Sequence, residues 1–301
     1  MILCVAPNPS IDKLFAVDRL VPGAIHRPKS IVQVAGGKGL NVARAAAALG
    51  ADVHAVAVLG GYAGRWLAAE LGREGISLTA VWTSHESRSC LSVADTETSS
   101  LTEFYERGLP IEDTEWAELV DVVRELGATA SWTTVSGSTP PGAGGAFELA
   151  TMGTVALDTN ELGDARPALL KVNAMEAAAL TGLVVTTLSA AAEAATALRA
   201  RIGGAGHGAV VTLGREGAVA VTPAGAVLRA SLDVTGDYPV GSGDAFLAGL
   251  VVSLERDPDW GAALATAIGA GAANAEIPGA GRLDGARARE LARRASIAPL
   301  A

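Results

Sequence analysis

The sequence predicts an α/β protein with a doubly wound, mostly parallel sheet that is flanked by helices and carries a small β-strand lid. Short apolar runs alternate along the chain with longer stretches of helical character, which is the pattern of a parallel sheet covered on both faces. Two further segments are more polar. The 301 residues are 50% hydrophobic and 18% charged, which excludes disorder and allows a large core. Length alone allows one large domain or two small ones.

The predicted strands of the main sheet are short and apolar, because strands buried on both faces lack alternation. They are Ile2–Ala6, Val53–Val58, Thr129–Val135, Thr154–Leu157, Leu169–Val172 and Ala209–Leu213. The predicted helices separate or follow these strands. They are Lys38–Leu49, Gly64–Arg73, Thr114–Leu126, Asn173–Leu180, Ser189–Arg201, Ser242–Glu255 and Trp260–Ala273. Such a sheet binds ligands beyond the carboxyl ends of its strands.

The two more polar segments are residues 13–34 and 87–105, and both interrupt the early strand–helix order. Alternation in places, as in Leu91-Ser92-Val93, is typical of strands with one exposed face. We therefore expect antiparallel strands outside the main sheet, packed together as a flap.

The charge balance and the cysteines narrow the range of partners. Lys and Arg number 23 against 32 Asp and Glu, a formal charge of -9, which argues against a nucleic-acid-backbone binder. Cys4 and Cys90 are too few for a zinc site or a disulfide framework. The sequence shows neither a signal-peptide pattern nor an apolar run of about 18 residues, so we expect no membrane partner and a cytoplasmic location.

The strongest chemical signal lies at residues 239–249, where glycines precede an apolar helical run. Gly241, Ser242 and Gly243 can present backbone N–H groups at a helix start, where they bind anions. Asp244 follows in the first turn and can accept a proton from a hydroxyl that attacks a phosphoryl group. The alternative is an ordinary helix start with Asp244 favouring the helix dipole.

Two further glycine-rich segments are candidate ligand sites. In residues 36–44, Gly37 allows close backbone approach while Lys38 and Asn41 offer polar contacts, but the spacing is not that of a P-loop. The loop of residues 136–142 begins at Ser136 directly after a predicted strand. For residues 36–44 the alternative is a glycine-rich turn followed by a surface lysine and a helix start. For residues 136–142 it is a plain loop.

Two segments later in the chain could face a nucleotide. Asn173 and Glu176 stand three apart after a strand, which suits either a hydrated Mg²⁺ or a helix capping box. Thr212, Gly214 and Gly217 belong to a strand–turn–strand pattern that is either an ordinary hairpin or a nucleotide-facing turn. The residues alone do not decide between these alternatives.

Together the segments resemble the ribokinase/PfkB family of carbohydrate kinases over nearly the whole chain. Four of them, together with the string Asn8-Pro9-Ser10-Ile11-Asp12, occur in the family's order: 8–12, 36–44, 136–142, 173–176 and 240–249. The resemblance implies a single ribokinase-like domain over residues 1–301, with a lid formed by about residues 13–34 and 87–105. The same resemblance implies an enzyme that uses ATP and Mg²⁺ to phosphorylate a sugar hydroxyl. It also implies a homodimer formed through the lid.

Within that family the chain looks like the phosphosugar branch, on the Asn-Val-Ala-Arg string ending at Arg44 and the Ser136–Gly142 loop. This branch includes 1-phosphofructokinase, tagatose-6-phosphate kinase and the minor 6-phosphofructokinase. Arg88 resembles the family's arginine that contacts the substrate phosphate, and Arg27 resembles a basic lid position. An Arg fork suits phosphate geometry, although a solvated surface arginine is the alternative for each.

The resemblance also implies roles by position. The sugar phosphate would be bound by Asp12, Arg27, Gly37, Lys38, Asn41, Arg88 and Ser136. Asp244 would be the catalytic base beside the anion hole of Gly241, Ser242 and Gly243. ATP would be held by Asn173, Glu176, Thr212, Gly214, Gly217 and Asn274, with Glu176 holding Mg²⁺ through water.

Departures from the family pattern leave the substrate open. Lys171-Val172-Asn173 stands where Lys-Pro-Asn is frequent, and Tyr105-Glu106-Arg107-Gly108 where the branch often has Asn-Glu-Pro-Gly. The leading hypothesis is a kinase of fructose 1-phosphate, fructose 6-phosphate or tagatose 6-phosphate. The alternatives are a kinase of an unphosphorylated sugar or nucleoside, a catalytically silent sugar-phosphate-binding regulator and, less well supported, a dinucleotide oxidoreductase.

Overall fold

The computed structural model describes residues 1–150, 153–159, 161–234 and 236–300, which form two sheets and a set of helices. The strands are β1 (Ile2–Ala6), β2 (Ser10–Val17), β3 (Ser30–Gly36), β4 (Val53–Gly60), β5 (Ser77–Thr83), β6 (Arg88–Asp95), β7 (Ser100–Tyr105), β8 (Trp132–Ser136), β9 (Val155–Asp158), β10 (Leu169–Asn173), β11 (Gly208–Thr212), β12 (Ala218–Val221), β13 (Val227–Ser231) and β14 (Ser296–Pro299). The helices are α1 (Lys38–Ala48), α2 (Gly61–Arg73), α3 (Asp113–Gly127), α4 (Ala174–Thr181), α5 (Leu188–Arg201), α6 (Ser242–Arg256), α7 (Trp260–Ala275) and α8 (Gly285–Ala292).

The main sheet has the strand order β14-β13-β12-β11-β10-β9-β8-β1-β4-β5. The strands from β11 to β5 are parallel, and β12, β13 and β14 extend the sheet with antiparallel pairs. The predicted fold class, a doubly wound and mostly parallel α/β sheet, is confirmed. The edge strands β5 and β14 escaped prediction because they are partly exposed and therefore lack a continuous apolar run.

Helices cover both faces of this sheet, and alternate residues of each strand point to opposite layers. Ile2 and Cys4 of β1 pack in the core under α1, α2, α6, α7 and α8. Leu3 and Val5 pack in the second core, under α3, α4 and α5. The central strands are thus buried on both sides, which explains why the sequence shows them as unbroken apolar runs.

A separate four-stranded sheet has the order β3-β2-β6-β7. Strand β2 pairs antiparallel with β3 and parallel with β6, so the two polar segments of the sequence meet in one sheet. Its strand β2 begins four residues after β1 ends, and α1 begins two residues after β3 ends. These short connections hold the small sheet at the carboxyl end of β1.

Among the described residues, no helix combines the length and the hydropathy that crossing a membrane requires.

Candidate active site

The candidate site lies at the carboxyl edge of the main sheet, where neighbouring parallel strands end side by side. Ser136 of β8 is in register with Asp158 of β9, and Asn173 of β10 with Thr212 of β11. Parallel strands bring their last residues to one edge, and this is where open α/β sheets bind ligands. The topology therefore brings together four chain segments that are up to 76 residues apart in sequence.

The start of α6, the predicted anion-binding cradle, lies over this edge. Gly241 precedes the helix with a φ of +84°, and a Cβ there would lie 2.6 Å from the amide nitrogen of Gly281. Glycine is therefore required by both conformation and space. Ser242 donates its amide to Pro239, but within the described chain the amides of Gly243 and Asp244 have no acceptor. Free amides at a helix start attract an anion.

Asp244 is 6% exposed and lies in the first turn of α6. Its Oδ2 accepts a hydrogen bond of 2.9 Å from Nδ2 of Asn41, on α1. Burial first, and the Asp158 carboxylate second, raise the pKa of Asp244 to about 7, against the opposite pull of Lys171, Lys38 and Asn41. A carboxylate with a pKa near neutrality is suited to act as a general base.

A chain of ion pairs lies next to this carboxylate. The buried Asp158 accepts from Nζ of Lys38 at 3.0 Å and from Nζ of Lys171 at 2.7 Å, and Lys38 also contacts Glu176 at 2.6 Å. Burial opposes the ionised form of Asp158, but the two lysines outweigh it and lower the pKa of Asp158. Burial also opposes the charged form of Lys38, whose pKa is nevertheless raised by Asp158, Glu176 and Asp244.

Lys171 was not among the predicted site residues. Its Nζ lies 3.0 Å from where a Cβ on Gly243 would be, so its ammonium borders the anion-binding cradle. It is 3% exposed, inside the apolar strand β10. A charged residue within a buried strand needs a partner. A lysine inside an apolar run was therefore the sequence signal that could have identified Lys171 as a site residue.

Asn173 and Glu176 form the capping box that the spacing allowed. Oδ1 of Asn173 accepts from the amide of Glu176, and Oε2 of Glu176 accepts from the amide of Asn173, both at 2.8 Å. The other oxygen of Glu176 pairs with Lys38. In the described chain, no three His, Cys, Asp or Glu side chains are grouped as metal ligands. These residues fit a Mg²⁺ that keeps its waters and takes phosphate oxygens, rather than one in a protein cage.

Two of the residues predicted to bind the sugar phosphate, Asp12 and Arg88, lie on the small sheet. Oδ1 of Asp12 accepts from Ser10 at 2.5 Å, Oδ2 accepts from the amide of Gly37 at 3.4 Å, and burial raises the pKa of this carboxyl. Arg88 donates through Nε and Nη2 to the carbonyl of Asn8 and through Nη1 to the carbonyl of Glu106. Two of its five N–H donors remain free of these bonds.

Arg88 also lines a small cavity, together with Asn8, His85 and Gly108. Arg27 lies outside this group, on the exposed loop between β2 and β3, and none of the described contacts connects it to the other site residues. Ser136 is 2% exposed, and its Oγ has no hydrogen-bond partner in the described residues.

The residues predicted to line the nucleotide differ in their accessibility. Thr212 ends β11, and Gly214 faces open space, which leaves room for a ligand. A Cβ on Gly217 would lie 2.1 Å from the carbonyl oxygen of Ala230, so this glycine is needed for strand packing.

Asn274 does not fit its predicted contact with adenine or ribose. It is 0% exposed, its Nδ2 donates to the carbonyl of Val240 and to Ser242 Oγ, and its Oδ1 accepts from the amide of Gly281. Its amide is therefore used inside the protein, where it holds the cradle loop in place. Sequence reasoning could not distinguish this clamp from a ligand contact, because both require a polar side chain here.

Comparison with known proteins agrees with this geometry. Residues 7–284 match the profile of the pfkB family carbohydrate kinases. A 1-phosphofructokinase of Haloferax volcanii is 35% identical over 268 residues, which are 85% of each chain. A 1-phosphofructokinase of Xanthomonas campestris pv. campestris is 32% identical over 275 residues, which are 85% of this chain and 84% of the relative.

Among solved structures, the tetrameric inhibited form of phosphofructokinase-2 from Escherichia coli superimposes with a TM-score of 0.86. The two chains are 23% identical, and the match covers 97% of this chain and 98% of the other. This similarity supports the fold, and the profile match and the two relatives support the family. The chain therefore belongs to the pfkB family of carbohydrate kinases, and the prediction of an ATP-dependent carbohydrate kinase is confirmed.

Proposed function

We propose that this protein transfers the γ-phosphoryl group of ATP to the free primary hydroxyl of a hexose phosphate, with fructose 1-phosphate as its preferred substrate. The observation that carries the proposal is the position of Asp244, whose carboxylate lies in the same helical turn as the amides of Gly243 and Asp244, for which the described residues offer no acceptor. A base and an anion cradle side by side are what phosphoryl transfer to an alcohol needs.

In the proposed step, Asp244 accepts the proton of the attacking hydroxyl. The hydroxyl oxygen forms a bond to the γ-phosphorus, the bond from this phosphorus to the bridging oxygen breaks, and ADP leaves with that electron pair. The amides at the start of α6 stabilise the negative charge of the phosphoryl group in transit. Lys171, at the edge of the cradle, adds a cation there.

Mg²⁺ would neutralise phosphate charge when bound with ATP. Glu176 and Asn173 are the residues that would hold it, through its waters. Their capping box fixes both side chains at the start of α4, and Lys38 bridges Glu176 to Asp158.

Two observations favour a phosphorylated sugar over a free one. Two relatives more than 30% identical to this chain are named 1-phosphofructokinase. Arg88 lies on the same face of the small sheet as Asp12, since Ser10 pairs with Arg88 and Asp12 with Cys90 two residues further. Its two free N–H donors suit the distal phosphate of a sugar whose hydroxyls contact Asp12.

Replacing Arg88 tests this assignment. We expect Arg88→Ala to raise KM for the sugar phosphate roughly 10- to 100-fold, as for a lost charge-assisted hydrogen bond, with little change in KM for ATP. Arg107→Ala, a change of an exposed arginine in the adjoining segment, is the control. Equal effects of Arg88→Ala on both substrates would contradict a phosphate contact.

The experiment that tests the function is a coupled assay of ADP release with ATP and Mg²⁺. The acceptors are fructose 1-phosphate, fructose 6-phosphate, tagatose 6-phosphate, fructose, ribose and adenosine. We expect the highest kcat/KM with fructose 1-phosphate. Turnover only with an unphosphorylated acceptor would overturn the substrate class, and binding of a sugar phosphate without turnover would identify a silent regulator.

We also propose that the small sheet mediates a homodimer. The face opposite Asp12 carries Phe15, Ile31, Leu91 and Phe104, as the strand register shows, and Ile31 and Phe104 are 59% and 57% exposed. An exposed apolar face of this kind is typical of an interface. Light scattering should give twice the 30.2 kDa chain mass, and Phe104→Glu should reduce it to one chain.

A further inference from the structure

Arg44 is a buried charged residue for which the proposed reaction has no direct use. It lies on α1, three residues after Asn41, and is 7% exposed. Its Nε donates to both carboxylate oxygens of Glu74 at 2.9 Å. A fully desolvated arginine is costly unless its donors are satisfied, so its remaining bonds show what it does.

Those bonds connect three segments of the candidate site. Nη2 of Arg44 donates to the carbonyl of Ala35 at 2.5 Å, at the end of β3 just before the Gly36-Gly37 pair. Nη1 donates to the carbonyl of Ala280 at 3.0 Å, and Ala280 packs directly against Gly241 of the anion cradle. One guanidinium therefore joins the end of β3, helix α1 and the loop behind the cradle.

The same Nη1 also faces Oδ1 of Asn41 at 3.4 Å, while Nδ2 of Asn41 donates to Asp244. Arginine offers only donors, and an ionised carboxylate offers only acceptors. The amide of Asn41 therefore satisfies both neighbours in one orientation only, with its oxygen toward Arg44 and its nitrogen toward Asp244. In the opposite orientation two donors would meet on one side and two acceptors on the other.

We infer that Arg44 is a positioning residue that holds the Asn41 amide in the orientation in which it donates to Asp244, with Glu74 fixing the guanidinium from behind. This inference rests on the proposed function, because it takes Asp244 as the base. Arg44 is not proposed as a phosphate ligand, since four of its five N–H donors are already bound within the protein.

The expected consequence is specific to the proton-accepting group. The charged groups around Asp244 are Lys38 from α1, Asp158 from the end of β9 and Lys171 from β10, and none of them contacts Arg44. Removing the guanidinium leaves these charges in place and frees the Asn41 amide to turn. An amide oxygen against the carboxylate disfavours its ionised form and raises its pKa.

The test compares Arg44→Lys with Arg199→Lys. Arg199 also donates to backbone carbonyls, those of His207 and Pro223, but next to the amino end of β11, at the opposite edge of the sheet from the site. We expect Arg44→Lys to lower kcat about 10-fold or more and to move the acidic limb of the pH–rate profile upward by about one unit. Arg199→Lys should do neither, even where it lowers stability.

If Arg44→Lys does not fold, Glu74→Gln replaces it, since Glu74 is partly exposed and the change removes only the charge that holds Nε. We expect the same upward shift with a smaller loss of kcat. The inference is overturned if the variant tested keeps the kcat and the acidic limb of Arg199→Lys.

A readout without turnover separates this inference from the proposed function. The pH dependence of the stability difference between proteins with and without Asp244→Asn reports the pKa of Asp244 directly. That pKa should rise in the Arg44→Lys background. If it rises although Asp244→Asn retains turnover, the positioning contact stands and the base assignment fails. If that pKa does not rise although Asp244→Asn abolishes turnover, the base assignment stands and the positioning contact fails.

Discussion

Replacing Asp244 by asparagine should lower kcat by a factor of roughly 10² to 10⁴ while leaving KM for ATP and for the sugar phosphate nearly unchanged. The amide keeps the shape of the side chain and can still accept from Asn41, but it cannot take a proton from the acceptor hydroxyl. Steady-state kinetics with fructose 1-phosphate measure the effect. The matched control is Asp257→Asn, the same change at the exposed far end of α6. A turnover near that of the control would remove Asp244 from the role of base.

Asp244→Asn should raise the stability of the protein near neutral pH, although it lowers turnover. The pKa of Asp244 is raised from an ordinary 3.8 to about 7, so between these values the folded protein binds a proton that the unfolded chain has released. Its contribution to the free energy of unfolding is therefore present at low pH and is lost as pH rises toward 7 and above. Asp244→Asn should be as stable as the native protein near pH 4 and more stable at pH 8, by at least about 1 kcal/mol.

This stability difference is measured by denaturant titration at a series of pH values. Because only the difference between the two proteins is used, the titration of other groups cancels. The native enzyme should also lose kcat/KM as pH falls below about 7, since the free enzyme must hold Asp244 ionised. A stability difference that is constant from pH 4 to pH 8 would contradict the raised pKa.

Removing Lys171 should have the largest effect on stability. Lys171 and Asp158 are 3% and 0% exposed in their side chains, and Lys171→Met would leave the carboxylate its ion pair with Lys38. Breaking a buried pair at one partner costs about 3–5 kcal/mol, and we expect the lower end because Lys38 remains. Denaturant unfolding gives the measurement. A loss below about 1 kcal/mol would show that the pair is not coupled as its burial implies.

The double variant Lys171→Met with Asp158→Asn separates the structural role of Lys171 from a catalytic one. Neutralising both partners should restore most of the lost stability, because no charge remains buried without its partner. Turnover should stay at least about 10-fold below that of the native enzyme, since the cradle at the start of α6 lacks its bordering ammonium. Recovery of full turnover together with stability would show that Lys171 only supports the fold.

The sequence by itself determined the architecture and supplied most of the residues proposed for the site. Apolar runs such as Leu169–Val172 identified the central strands, because burial on both faces leaves no other pattern. Glycines next to an apolar helix predicted an anion cradle at Gly241 and a base at Asp244, since both predictions depend on neighbours within a few residues. The edge strand β5 and the short helix α8 were missed, because partial exposure leaves them without a strong pattern.

The tertiary structure decided which polar groups meet and in what state of charge. Asn41 and Asp244 are 203 residues apart in the sequence, and Lys38 and Glu176 are 138 apart, so no local pattern could pair them. Asn274 was expected to face a ligand, but packing turned its amide inward to clamp the cradle loop. The pKa of Asp244 likewise depends on burial and on charges brought by other strands. Sequence periodicity reports which face of an element is buried, whereas contacts between distant segments exist only once the sheet has assembled.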